Sequence, residues 1–249
     1  MPTYSVFDVQ VVDQYTGESI FGSGGKAIVT LAGAFTNATL LNPDADYAAL
    51  TQPVSLSRGK LRFAVATGVA GQTTQPTVDI YGTAPGGQAW QAYGCKAGDP
   101  VEIQIDTHVL DQVMVSPFSF ASGTVASEYD TGLDFPTKAI ILPTPYINVN
   151  ALDAGITLNV GLLSSESGGD ADGILAAISL AAATTVVPKW APTATAGALI
   201  FESNATTPAV LTPRHYPTAA AVSLSFTVSS GGDTGNGRIF VPYRLGVPY

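Results

Sequence analysis

At 249 residues the chain is long enough for one large β domain or two smaller ones, and it buries enough surface to fold without a metal or disulfide staple. Its single cysteine, Cys95, excludes an internal disulfide and reads as a small apolar filler, while 12% charged against 46% hydrophobic residues suits a protein that hides surface against other subunits. A net charge of −9 with no Lys/Arg cluster argues against direct nucleic-acid binding, since Lys60 and Arg62 alternate with Leu61 and Phe63 as the solvent face of a strand.

The N-terminus lacks a basic region and a long apolar run, which predicts no signal peptide. The most apolar window, 174–187, is too short for a spanning helix, so no membrane segment is expected. Phe7, Val9 and Val11 alternate with Asp8 and Gln10, predicting a first strand over 4–12, and Lys26 to Leu31 predicts the next. The glycines at 22–25 are a flexible connection, because no Gly-Lys-Ser/Thr follows in P-loop register. Further strands are expected at 54–56, 60–65, 77–82 and 88–93, with Ala84-Pro-Gly-Gly87 as a hairpin turn. Val101, Ile103, Ile105, Thr107 and Val109 form the inward face of a strand whose outward face includes Glu102 and His108. Turns this closely spaced describe an antiparallel β-sandwich.

The character shifts around 110–118, which divides the chain into domains at 1–112 and 113–249. In the second half, 138–142 reads as a buried strand and 146–149 as extended. Ile156, Leu158 and Val160 then alternate with Thr157, Asn159 and Gly161 as a half-buried strand, followed by the polar loop Ser164-Ser-Glu-Ser-Gly-Gly-Asp-Ala-Asp-Gly173. Asp170 or Asp172 is placed to cap a short helix that turns Ile174, Leu175 and Ile178 inward. Strands at 198–202, 222–228 and 238–243 and an apolar, extended tail to Tyr249 complete the chain. The fold class is all-β: an N-terminal antiparallel β-sandwich and a C-terminal jelly-roll-like β-barrel with one short helix.

Chemistry has few candidates. His108 and His215 are the only imidazoles, and no Gly-x-Ser-x-Gly elbow accompanies them. Glu128, Asp130 and Asp134 are close enough in sequence for paired-carboxylate glycoside hydrolysis, but nothing apolar nearby predicts the raised pKa of an acid. Asp170-Ala-Asp-Gly173 resembles the start of a calcium loop, yet its twelfth position is Ala181; a looser calcium site would use Glu166, Asp170 and Asp172. No Cys/His set for zinc exists, and no cofactor is expected. Trp90, Tyr93 and Trp190 are the aromatics for a glycan face, with Trp90 equally suited to a core.

Thr131-Gly-Leu-Asp-Phe-Pro136, Asp153 to Gly161, Ser164 to Gly173, Val222 to Gly231 and Gly237-Arg-Ile-Phe-Val-Pro-Tyr243 resemble tailed-bacteriophage virion proteins that decorate or cement the head shell. Leu41-Asn-Pro43, Pro53 to Leu56 and Gly59 to Phe63 are similar to small β modules of phage head and tail attachments. The resemblance is structural and carries no catalytic residue. It implies a homotrimer on the outer surface of the capsid, made in the host cytoplasm, whose partner is the major capsid protein of the same virion. That trimer would act without contact to nucleic acid or membrane, stabilising the mature lattice by mass action. Glu128, Tyr129, Asp130, Glu166, Asp170, Asp172 and Tyr249 are then the expected subunit or capsid interface. The alternative is a head- or tail-fibre module that binds host glycans.

Overall fold

The computed structural model describes residues 3–20, 24–67, 75–121, 127–152, 157–179, 184–186, 197, 199–203, 211–213, 216–230 and 234–246. Every regular element among them is a strand, and no helix there is long and apolar enough to cross a membrane. The chain divides into two compact units, Met1–Val109 and Leu110–Tyr249.

The first unit contains β1 (Thr3–Asp13), β2 (Lys26–Leu31), β3 (Leu40–Asn42), β4 (Ala48–Leu50), β5 (Val54–Ser55), β6 (Lys60–Thr67), β7 (Thr77–Thr83), β8 (Ala89–Lys96) and β9 (Val101–Ile105). One sheet has the order β4-β3-β6-β1-β9 and the other β5-β2-β7-β8. The two share one core in which Phe7, Val9 and Val11 of β1 meet Leu61, Phe63 and Val65 of β6, and Ala27, Val29, Val78 and Ile80 from the other sheet. This is the expected sandwich. Its pairs are antiparallel except β1 with β9, which run parallel from Val9↔Val101 to Asp13↔Ile105. Trp90 is a core residue, 5% exposed, lying over Gly82, where an added Cβ would fall 2.3 Å from its ring.

The alternation over 101–109 stops at Ile105. Asp106 Oδ1 accepts the His108 N–H at 2.8 Å, and the Thr107 hydroxyl donates to Asp13 Oδ2 at 2.6 Å, so the chain turns there. Local side-chain bonds of this kind compete with the ladder and win at its end. His108 is therefore in a turn rather than on a strand face, and Val109 is exposed rather than inward.

The second unit contains β10 (Asp111–Phe120), β11 (Glu128–Phe135), β12 (Ile140–Ile141), β13 (Tyr146–Leu152), β14 (Thr157–Leu162), β15 (Asp170–Ser179), β16 (Thr184–Val186), β17 (Phe201–Ser203), β18 (Leu211–Pro213), β19 (Tyr216–Pro217), β20 (Val222–Ser230) and β21 (Gly235–Arg244). Strand β21 is its spine. It pairs β10 from Asp111↔Arg244 to Phe120↔Gly235, and on its other side it pairs β13 and then β12. A separate sheet has the order β11-β20-β14-β15. These are sheets of the sandwich or jelly-roll type expected for the second domain, although among the described residues they do not close into a barrel.

The expected helix after Asp170 is also overturned: its described part lies in β15. Leu158↔Ile178, Val160↔Leu175 and Leu162↔Asp170 are paired, with irregularities between successive pairs. Extra residues on β15 reset its alternation, and Ala177 takes a left-handed φ of 50°. Ile174, Leu175 and Ile178 are all buried, which mimics helical spacing without a helix. The helical pattern is the trace of a bulged strand.

Candidate functional site

The acidic residues singled out by sequence gather on one sheet of the second unit. Along β20, Leu224, Phe226 and Val228 face Leu162, Val160 and Leu158 of β14, and the Tyr129 ring stacks on Phe226 at 4.8 Å. The opposite face carries Ser223, Ser225 and Thr227, against Glu128, Asp130 and Asp134 of β11 and Asn159 and Gly161 of β14. Ser223 and Ser225 are 3% and 0% exposed, so their hydroxyls need partners inside the protein.

Carboxylates supply them. Glu128 accepts the Ser225 hydroxyl at 2.7 Å, the Ser164 N–H at 2.9 Å and the Ser164 hydroxyl. Glu166 Oε2 accepts the Ser223 N–H at 2.6 Å. The Ser223 hydroxyl lies 2.9 Å from Asp134 Oδ1 and 3.3 Å from Glu166 Oε1 and shares its proton between them. Leu163 N–H donates to Ser223 O at 2.9 Å. The loop between β14 and β15 is thus fastened to the sheet at both Ser164 and Glu166.

Strand β11 bulges between Asp130 and Asp134. Across the gap the Thr131 hydroxyl donates to Leu224 O at 2.7 Å, and Asp130 Oδ1 accepts the Gly132 N–H at 2.7 Å, where φ is 74°. Asp130 therefore closes its own turn. Asp170 lies beside Asp172, and no group of three or more potential metal-ligating side chains gathers among the described residues. The looser calcium arrangement is not assembled there.

Partial burial works to raise the Glu128 carboxyl, but hydrogen bonds from the Ser164 hydroxyl, the Ser225 hydroxyl and the Ser164 N–H outweigh it and hold the group below its ordinary value. That is opposite to what a general acid requires. Asp170 is raised, first by burial and then by the hydrogen bond and charge of Asp172. Ser225 donates to a carboxylate with no imidazole between them; His108 sits in the first unit, and His215 lies outside the described residues. Trp190 and Tyr249 also lie outside them.

Of the expected interface residues, the structure brings Glu128, Tyr129 and Asp130 together on β11 and fastens Glu166 to the adjacent β20. Sequence reasoning missed the serines. The signal was present: Ser223 and Ser225 alternate with large apolar residues on a strand buried on both faces, and such hydroxyls require acceptors.

No protein-family model and no curated protein matches the chain. Among solved structures, it is similar to the infectious bursal disease virus VP2 subviral particle at 10% identity and a TM-score of 0.24, over 98% of this chain and 56% of that one. It is also similar to T=1 particles derived from infectious bursal virus, at 10% identity and a TM-score of 0.20, over 99% and 74%. The chain spans little more than half the length of the first, and likeness at these scores carries no argument about fold or role.

Proposed function

We propose that the chain is a structural virion protein that binds the outer surface of a phage capsid as a homotrimer and stabilises the mature shell. Its partner is the major capsid protein, and it works through protein–protein contact, without turnover, cofactor, nucleic acid or membrane. One observation carries this reading. The loop from Leu163 to Gly169 exposes Ser164, Ser165, Ser167 and Gly168, yet it is fastened from beneath by Glu128 and Glu166. An exposed loop already held in one conformation loses little entropy on docking, which favours many modest contacts acting together. Leu110 and Val113, 38% and 43% exposed in the same unit, add apolar surface of the kind a subunit contact covers.

The test is sedimentation of the purified chain alone and with mature shells. A trimer that pellets with shells without added ligand or metal supports the reading. A strict monomer that stays in the supernatant overturns it.

A further inference from the structure

The first unit carries a groove that the shell-binding reading does not use. Lys60 and Arg62 of β6 alternate with the buried Leu61 and Phe63 and so point outward. They stand beside Gln10 and Asp8 of β1, and Gln10 is in turn opposite Glu102 of β9. Together with Ser19, Ser55, Ser57 and Arg58 this face lines an open groove of about 700 Å³. Three of the chain's ten Lys and Arg residues fall within positions 58–62, in a protein of net charge −9.

The three cations are not equivalent. Arg62 is neutralised by Asp8, with Nε 3.1 Å from Oδ1, and by Asp44. Arg58 and Lys60 have no carboxylate within ion-pair distance among the described residues. Arg58 is also held in place against its preference. Reciprocal bonds between Ser57 and Lys60, at 2.8 and 2.9 Å, close a two-residue turn with φ of 52° at Arg58 and 70° at Gly59. Asn-Gly fills such a turn with little strain, and arginine does not. The turn cannot slide, because Gly59 O accepts the Val11 N–H at 2.8 Å and a Cβ at Gly59 would meet Ile20 O at 2.8 Å. A local rule broken at a fixed, exposed cation marks a place where function outweighs local preference.

We infer that this groove binds an acidic saccharide, with its anionic group between Arg58 and Lys60 and its hydroxyls against Gln10, Ser19, Asn42 and Glu102. The volume is that of a small-molecule site and far exceeds a lone ion. Hydroxyl, amide and carboxylate groups match the mixed donors and acceptors of a sugar. No aromatic side chain lines the groove, so a saccharide there is held by charged and polar contacts rather than by ring stacking. The acidic chain repels a long polyanion but admits a short ligand of one or two charges. Each groove binds weakly, on the order of 1 mM.

Titration of the full chain, followed by backbone amide NMR, tests this with sialyllactose, an unsulfated glucuronate-containing disaccharide, lactose and inorganic phosphate. We expect at least one acidic saccharide to shift Gln10 and residues 58–62 saturably, with lactose at least tenfold weaker. Arg58→Asn, which suits the turn better, and Lys60→Gln each weaken binding about fivefold while the Tm stays level or rises. Failure of both acidic saccharides, or unchanged affinity in Arg58→Asn, overturns the inference. So does phosphate alone giving the same shifts at the same concentration, which marks an anion site without sugar recognition. Shell binding is assigned to the other unit, so it stands or falls separately.

Discussion

Glu128 and Ser164 are 36 residues apart in sequence, yet the Glu128 carboxylate accepts both the N–H of Ser164, at 2.9 Å, and its hydroxyl. The same carboxylate takes the hydroxyl of the buried Ser225. Replacing Glu128 by Gln keeps the shape but offers one acceptor oxygen instead of two. Stability should fall by about 1–2 kcal/mol, toward the lower end of what hydrogen bonds to a charged group contribute, because the site is only partly buried. Urea unfolding measures it. A cycle with Ser225→Ala should show the two losses to be less than additive.

Two perturbed carboxyls of the second unit, Glu128 and Asp170, predict opposite pH dependences. Glu128 titrates below its ordinary 4.5 in the folded chain, so its contribution is complete above that pH and is lost as pH falls through the lower folded value. Asp170 titrates above its ordinary 3.8, so its contribution is complete below that pH and is lost as pH rises through the raised value. Glu128→Gln should therefore flatten the acid limb of the stability profile. Asp170→Asn should raise the urea midpoint at pH 7 and leave the acid limb intact.

Gly161 of β14 lies tight against the backbone of β15: an added Cβ would fall 2.0 Å from Asp170 O and 2.4 Å from the Ala171 carbonyl carbon. Backbone atoms cannot move aside as a side-chain end can. Gly161→Ala should destabilise the second unit by about 3 kcal/mol, the upper end of overpacking costs. Hydrogen exchange should rise first in β14 and β15.

In the first unit, the Gln52 side chain acts as a strand rung. It accepts the Val29 N–H at 2.6 Å and donates to Val29 O and Ala38 O at 3.0 and 2.6 Å. Gln52→Glu removes both donors and sets a charge against two carbonyls. It should lower the Tm more than Gln52→Ala, although it is nearer in shape.

Period-two patterning made Phe7, Val9 and Val11, and Leu158 and Val160, legible as inward faces, because each lies on a strand with one dominant partner sheet. It failed at β15, where bulges interrupt the alternation and the adjacent Ile174 and Leu175 are both buried. It failed after Ile105 because Asp106 and Asp13 offered the backbone and Thr107 local partners. The acidic residues were legible as a group, but their roles were not. Glu128 and Glu166 read as a surface until Ser164, Ser223 and Ser225, distant in sequence, are seen to fill their oxygens. Gln52 has no sequence signature at all, since its partners are backbone atoms set by the fold.

The central claim, a trimer bound across a capsid lattice, is tested most directly by an electron-microscopy map of the intact particle. The account predicts density for three copies at local threefold positions over the whole outer surface, with the loop from Leu163 to Gly169 at a contact with a neighbouring subunit. Density confined to one vertex or the tail, or none on the shell, would contradict it.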